Sequence, residues 1–219
     1  MDDEWNIFPS YSRTEVVADA VIHVLGVALG ICAVVWLLSS SWRIALPGVR
    51  PSLAIYGFGL IGMLGASAAY NMTPSGRMKE VLRRLDHAMI YVMIAGSYTP
   101  FALIAVGGPL GTALCAVVWS AALAGIVLKL GFPRRFEWVG FGLYLGMGWM
   151  IVAVIDRVFA ALSGLSFVLL VVGGVIYTLG SGIHLMERLR FHNAIWHALV
   201  LVAAGAHFVA IAGQFAFVA

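Results

Sequence analysis

The chain has 219 residues, about the size of one domain, of which 62% are hydrophobic and 11% charged, with a mean hydropathy of +0.99. A soluble domain carries roughly 45–50% apolar and about 25% charged residues, so this chain has too little polar surface to fold in water. The composition excludes a soluble enzyme, a disordered chain and a secreted disulfide scaffold. The near balance of 13 Lys and Arg against 10 Asp and Glu excludes a nucleic-acid binder. An integral membrane protein is therefore predicted.

Seven apolar segments follow one another along the chain, each near the ~20 residues that a helix needs to cross a bilayer. Short connections rich in Pro, Gly and charged residues separate them. The predicted spans are residues 15–38, 52–71, 85–106, 110–130, 137–155, 165–184 and 193–217. The sequence thus predicts an all-α, seven-helix membrane domain over residues 15–219. An N-terminal tail, residues 1–14, precedes it and has no cleavable signal peptide.

The basic residues predict the orientation of this bundle. Ten of the 13 Lys and Arg residues fall on the side that holds the N-terminus, and three on the other. Because cytoplasmic loops carry the excess of Lys and Arg, we expect a cytoplasmic N-terminus and an outside C-terminus in a bacterial-type inner (plasma) membrane. This orientation is opposite to that of G-protein-coupled receptors. The only lysines, Lys79 and Lys129, lie in or beside loops, where neither can form a retinal Schiff base in the last span.

Polar residues concentrate in the half of the predicted bundle nearest the N-terminus. Glu15, Asp19 and His23 lie four residues apart, which places them on one stripe of the first helix. The other polar residues come from the second, third and seventh spans: Ser67, Tyr70, Asn71, Asp86, His192, Asn193, His197 and, deeper, His207. Ionisable groups at membrane depth are costly and usually face the bundle interior, so these residues are the candidates for a functional cavity.

Several of these residues also have a structural explanation. Glu15 suits the first turn of a helix, and Asp86 suits a helix N-cap. His207 suits a hydrogen bond between helices, and Tyr70 suits the aromatic belt at the membrane interface. Taken together, a carboxylate, a serine and a histidine at one depth on three helices favour a polar cavity.

The motifs along the chain resemble the hemolysin III group of the progestin and adipoQ receptor family. The resemblance covers nearly the whole chain, and four pieces carry it in order on matching helices. They are Glu15-x-x-x-Asp19-x-x-x-His23-x-x-Gly26, Ser67-Ala-Ala-Tyr70, Arg84-Leu-Asp86-His87 with Ala95-Gly-Ser-Tyr-Thr-Pro-Phe101, and Ala194-Ile-Trp-His197 with Ala206-His-Phe208. The resemblance implies seven helices with the N-terminus inside, in agreement with the distribution of basic residues.

The resemblance also implies a zinc site held by three histidines, with an Asp and a Ser on a metal-bound water. In this sequence Ser67 and Asp86 are present, but asparagines stand at two ligand positions, Asn71 and Asn193. Only His197 remains as a metal ligand. An amide is a poor zinc ligand, so the sequence predicts a degraded or altered zinc site and no other cofactor. His192 is one residue out of register, about 140° around the helix from His197.

Three functions remain open at this point. The first is a hemolysin III-like protein whose cavity binds a lipid or small ligand, with membrane lipids as partners. The second is a ceramidase-like hydrolase of lipid amides or esters with a rearranged metal site. Ser67, Asp86 and His197 are then catalytic, His192 or His207 completes the site, and a metal or an Asp–His pair activates water. The third is a proton or ion path along Glu15, Asp19, His23, Asp86 and His207. The apolar outer halves of the helices weigh against it.

Overall fold

The computed structural model describes residues 8–216, with Arg43 described by its backbone only, and this part of the chain forms seven long helices. They are α1 (Arg13–Ser40), α2 (Val49–Met72), α3 (Arg77–Val106), α4 (Gly108–Gly131), α5 (Glu137–Ala161), α6 (Gly164–His184) and α7 (His192–Phe215). Each is long and apolar enough to cross a membrane, and residues 8–216 contain no strand. The all-α, seven-helix prediction is confirmed.

Two helices are longer than the apolar pattern indicates by six residues or more. α3 begins at Arg77 and not at residue 85, and charged residues of its first turns pair with the start of α5 and with the loop before it. α5 continues to Ala161, beyond residue 155, through a 3₁₀ segment at Met150–Val154. Residues 1–7 of the predicted tail, and residue 217 at the predicted end of the last span, lie outside the described residues.

An odd number of crossings places the beginning of α1 and the end of α7 on opposite sides of a membrane. The side that holds the beginnings of α1, α3, α5 and α7 is called the N-terminal side below. Its cytoplasmic location stays a prediction that the distribution of basic residues supports.

The first and last helices are joined at their N-terminal ends. Ser12 and Glu15 form a capping box, in which the Ser12 hydroxyl accepts from the Glu15 N–H and the Glu15 carboxylate accepts from the Ser12 N–H. The second carboxylate oxygen of Glu15 accepts from the backbone N–H of Phe191 at 3.0 Å, directly before α7. One side chain therefore fixes both helix starts.

α3 and α5 each contain an irregular turn, and Tyr98 of α3 forms hydrogen bonds with the backbone of α5. α3 widens into a π-helical turn at Phe101–Val106, directly after Pro100. The Tyr98 hydroxyl donates to the Gly148 carbonyl at 3.0 Å and accepts from the Ile151 N–H at 2.8 Å, where α5 changes to its 3₁₀ segment. Tyr98 thereby satisfies backbone groups that would otherwise be unpaired in lipid.

Close backbone approach sets the packing of α2 against α3. A Cβ atom at Gly59 would lie 3.2 Å from the Val92 carbonyl oxygen, and one at Gly96 would lie 3.2 Å from the Ile55 carbonyl oxygen. Small residues at such crossings allow helices to pack tightly in a membrane. α3 is the most buried of the seven spans and α5 the least.

Candidate functional site

Seven polar side chains from four helices meet on the N-terminal side of the bundle and are called the polar cluster. They are Asp19 and His23 on α1, Ser67 and Asn71 on α2, Asp86 on α3, and Asn193 and His197 on α7. All seven line one cavity of about 1230 Å³ that extends between the helices. The structure thus brings together Asp86, Ser67 and His197, which the hydrolase hypothesis names as catalytic, and places Asp19 on the same cavity.

Asp19 is the centre of the polar cluster. One carboxylate oxygen accepts from Nδ1 of His197 at 2.6 Å, and the other accepts from the Asn193 amide at 3.1 Å. The carboxylate is buried, and hydrogen bonds to a buried ionised group are shorter and stronger than neutral ones. Asp19 and His197 form an Asp–His pair of the kind that orients a histidine as a base.

His23 is held in one tautomer by the backbone of its own helix. Its Nδ1 lies 2.8 Å from the Asp19 carbonyl oxygen, and because a carbonyl only accepts, Nδ1 carries the hydrogen. Nε2 of the neutral ring is then an acceptor, and it lies 3.2 Å from the Ser67 hydroxyl. The rings of His23 and His197 are 4.3 Å apart between centroids.

The two asparagines bond to each other across the site. The Asn193 amide donates to Oδ1 of Asn71 at 3.3 Å, and the Asn71 amide donates to the Ser67 carbonyl at 3.0 Å. Both amides are thus engaged within the cluster and are poor zinc ligands by their chemistry. Of the three ligand positions that the resemblance implies, only that of His197 carries a side chain of the kind that zinc prefers.

A different set of side chains does fit a metal ion. Ligand atoms of Asp19, His23 and His197 all lie within 4.8 Å of one another. One carboxylate and two imidazoles are a donor set that zinc uses at catalytic sites, where a fourth position stays open. The His23 Nδ1–H bonded to a carbonyl is also the usual arrangement behind a metal-binding histidine. Of this set, only His197 is a ligand that the family resemblance implies. The sequence signal for the other two members, Asp19 and His23, is their four-residue spacing on one face of α1.

Hydrogen-bond acceptors outnumber donors in the cluster. Within residues 8–216, Asp19 makes ion pairs with His23 and His197 only, and Asp86 makes none. Ser67 has one hydroxyl hydrogen, which Nε2 of His23 at 3.2 Å can accept, and its oxygen accepts from the Asn71 amide at 3.4 Å. Such a site suits a cation, or a ligand group that brings its own N–H or O–H donors.

Four candidate residues line the cavity without joining the cluster: His207 lies deeper, and Glu15, Tyr70 and His192 lie on the N-terminal side. Glu15 is committed to the helix starts described above. The Tyr70 ring packs under the Lys79 ammonium at 4.8 Å. Nδ1 of His192 donates to the Leu189 carbonyl at 3.2 Å, and its ring packs on Tyr11. Among the described residues, His192 is not part of the group of ligand atoms that includes those of His197.

The Tyr11 side chain lies just before α1, where it lines the cavity. Burial, with the nearby carboxylates, raises the pKa of its hydroxyl to about 12. Tyr11 is therefore a neutral wall residue at physiological pH, and its hydroxyl hydrogen stays available as a donor.

An ion-pair network lies beside the cluster on the same side of the bundle. It comprises Glu80, Arg83, Arg84, Lys129, Arg134 and Glu137. Arg134 donates to Glu80 at 2.7 Å, while Glu137 pairs with Arg83 at 3.1 Å and with Lys129. The network joins α3 to the end of α4 and the start of α5. From the sequence, the basic residues of this network predict only the orientation of the bundle, because a count of charges does not show which of them form ion pairs.

Comparison with known proteins agrees with this architecture. The family model described as Haemolysin-III related matches residues 11–208. Hemolysin-3 homolog of Bacillus subtilis (strain 168) is 37% identical over 207 residues, which cover 92% of this chain and 94% of the relative. Hemolysin-3 of Bacillus cereus is 35% identical over 187 residues, or 85% of each chain.

A mammalian protein is also similar. Human Monocyte to macrophage differentiation factor is 30% identical over 165 residues, which cover 72% of this chain and 67% of the human protein. No solved structure matches the fold of this chain. The family match extends over nearly all the helices that carry the site, from before α1 into α7. The chain therefore belongs to the Haemolysin-III related family and is a multi-pass membrane protein.

Proposed function

We propose that this protein binds a lipid within the membrane, with the lipid's polar group at the polar cluster and its apolar part along the cavity. One observation carries the proposal: the acceptor-rich cluster forms one end of a cavity of about 1230 Å³. The cavity continues between apolar walls that include Phe101, Leu170 and Val200. A mostly apolar cavity with a few convergent polar groups is the usual form of a small-molecule site.

The chemistry of the cluster selects the polar group of the lipid. No Lys or Arg side chain of the described residues forms an ion pair with Asp19 or Asp86, so a phosphate or carboxylate head at the cluster would lie next to two carboxylates whose charge only the more distant Lys79 and Arg83 offset. An amide, hydroxyl or amine head brings donors for the spare acceptors. The ligand class that fits is therefore a lipid amide, a lipid alcohol or a related donor-bearing lipid.

The test compares two lipids with the same acyl chain. The detergent-purified protein is titrated with N-oleoylethanolamine and with oleic acid. We expect the amide to bind tighter by about tenfold or more, since it gains hydrogen bonds that the fatty acid carboxylate lacks. The Asp86→Asn variant should narrow this preference. Equal binding of the two lipids, or binding of neither, would overturn the proposal.

A second candidate function is the hydrolysis of lipid amides or esters, which the Asp19–His197 pair favours. Asp19 holds the Nδ1–H of His197 at 2.6 Å, which leaves Nε2 as a base that can take a proton from water. Ser67 and Asp86 lie on the same cavity and can orient that water. Asp19, His23 and His197 would also hold zinc, which when bound lowers the pKa of its water to about 7.

Turnover of a fluorogenic lipid amide, together with elemental analysis of the purified protein, tests this second function. We expect His197→Ala to abolish turnover, and His23→Ala to lower any zinc content. His192→Ala is the matched control, because His192 lies on the same helix and the same cavity but outside the cluster. If wild-type protein shows neither turnover nor zinc, hydrolysis is rejected and lipid binding is judged by its own titration.

We also propose a cytoplasmic N-terminal side in a bacterial-type plasma membrane. Ten of the 13 basic residues lie on that side, which is the bias expected of cytoplasmic loops. A protease-sensitive tag fused before Met1 should be protected in intact cells and cleaved in inverted vesicles. The reverse pattern would overturn the orientation.

A further inference from the structure

A second polar site lies deeper in the cavity, beyond the polar cluster. The Tyr177 hydroxyl on α6 is buried and has no hydrogen-bond partner among residues 8–216. His207 on α7 packs beside it, with the ring centroids 5.6 Å apart. Both side chains line the same cavity as the cluster. An unpaired buried hydroxyl at a cavity wall is unusual, since nearly all buried polar groups have a partner.

The orientation of His207 leaves one ring nitrogen free to accept. Nε2 lies 3.0 Å from the Leu170 carbonyl oxygen, which only accepts, so Nε2 carries the hydrogen of the neutral ring. Nδ1 is then an acceptor. The ring fits closely against Gly173, where a Cβ atom would lie 2.3 Å from Cδ2 of His207. The glycine thus makes room for this ring position.

A ligand hydroxyl is the group that can form hydrogen bonds with both Nδ1 of His207 and the hydroxyl of Tyr177. A hydroxyl can donate to His207 Nδ1 and accept from the Tyr177 O–H at the same time. A carbonyl or ether oxygen can only accept and would leave Nδ1 of His207 without a partner. A methylene chain would leave both groups unpaired.

The distance between the two polar sites sets where that hydroxyl must lie on the ligand. His207 is ten residues after His197 on α7, a rise of about 15 Å along the helix. A lipid with its head at the cluster would place the middle of an extended acyl chain at this depth.

We propose that Tyr177 and His207 bind a hydroxyl group carried in the middle of the lipid chain, so that the ligand is a chain-hydroxylated lipid. This inference rests on the proposed lipid-binding function and adds a second point of recognition to it. The cluster then selects the head group, and the deep site selects the substitution of the chain.

The experiment compares N-oleoylethanolamine with N-ricinoleoylethanolamine, which differs only by a mid-chain hydroxyl. We expect the hydroxylated lipid to bind about three- to tenfold tighter, as for one or two neutral hydrogen bonds. Tyr177→Phe and His207→Leu should each reduce that preference, while binding of the plain oleoyl lipid shows that the variants are folded.

Ser97→Ala is the matched control. The Ser97 hydroxyl on α3 also lines the cavity, but it already donates to the Ile94 carbonyl of its own helix at 2.8 Å. The preference should survive in this variant. Equal affinity of the wild-type protein for the two lipids would overturn the deep site alone. A preference that persists in Tyr177→Phe and His207→Leu, or is also lost in Ser97→Ala, would likewise overturn it. Binding of neither lipid would overturn the proposed function itself.

Discussion

Two pairs of carboxylates lie on the N-terminal side of this bundle, and their surroundings differ. Glu80 and Glu137 each accept from Arg or Lys side chains, so their charge is balanced within the ion-pair network. Asp19 is instead held by histidine and asparagine, and Asp86 lies beside Ser67. A carboxylate at membrane depth is thus not by itself a sign of function. The side chains that pair with a carboxylate determine whether it holds helices together or remains able to bind a ligand.

The difference also separates two roles in the bundle. The ion-pair network connects α3 with α4 and the start of α5, the least buried span. Charged pairs between helices can fix their arrangement even where they add little net stability. The polar cluster connects α1, α2 and α7 through neutral and charge-assisted hydrogen bonds and retains spare acceptors. Substitutions in the ion-pair network should therefore lower the stability of the bundle, and substitutions in the polar cluster should lower the affinity for the lipid.

The largest effect is expected from Asp19→Asn. The variant loses the charge-assisted bonds to His197 and Asn193, so affinity for N-oleoylethanolamine should fall by roughly tenfold to a hundredfold. Isothermal titration in detergent measures this change. Glu80→Gln, the matching amide substitution in the ion-pair network, should leave affinity within about twofold. Similar losses in both variants would remove the functional distinction between the two regions.

The double variant Asn71→His with Asn193→His should give the cluster a cation. Two imidazoles replace two amides beside His197, which restores the three-histidine set that the family resemblance implies. Measured in a His23→Ala background, which removes the alternative Asp19, His23 and His197 set, the zinc content should approach about one ion per chain in elemental analysis, well above that of His23→Ala alone. Each single variant should gain less, because the remaining amide is not a zinc ligand. Unchanged zinc in the double variant would contradict the assigned ligand positions.

Glu137→Gln should lower stability with little effect on binding. Glu137 accepts from both terminal nitrogens of Arg83 and pairs with Lys129, whose side chain is only 11% exposed. Because Glu137 itself is 40% exposed, we expect a loss of about 1–3 kcal/mol, less than for a fully buried pair. Thermal unfolding in detergent measures the loss. Glu187→Gln is the control, since exposed Glu187 has no ion pair within the described chain. An equal loss in the control would contradict the assignment.

The smallest effect is expected from Ser67→Ala. The variant removes the hydroxyl that lies 3.2 Å from His23 and 3.4 Å from the Asn71 amide, both of which are long hydrogen bonds. Lipid affinity should fall by about three- to fivefold, as for one neutral bond of about 1 kcal/mol. Ser97→Ala removes a hydroxyl that lines the same cavity but bonds only to its own helix, so it should have no measurable effect.

Most of the fold can be predicted from the sequence, because the length of each apolar segment and its flanking charges determine a membrane span. The start of α3 cannot be predicted this way. The charged residues after Arg77 resemble a loop, and only their partners on other elements show that they are helical. The same limit applies to the site. The stripe of Asp19 and His23 is visible in the sequence, but its meeting with His197 depends on how α1 and α7 pack.

The bond between Asp19 and His197 joins residues 178 positions apart in the chain. During synthesis α1 enters the membrane first and α7 last, so Asp19 has none of its α7 partners while the intervening helices are made. The site is therefore assembled only when the final helix is inserted. A chain that stops before residue 193 would contain six spans and every residue of the ion-pair network but would lack Asn193 and His197, so the polar cluster is complete only after the last helix has been translated.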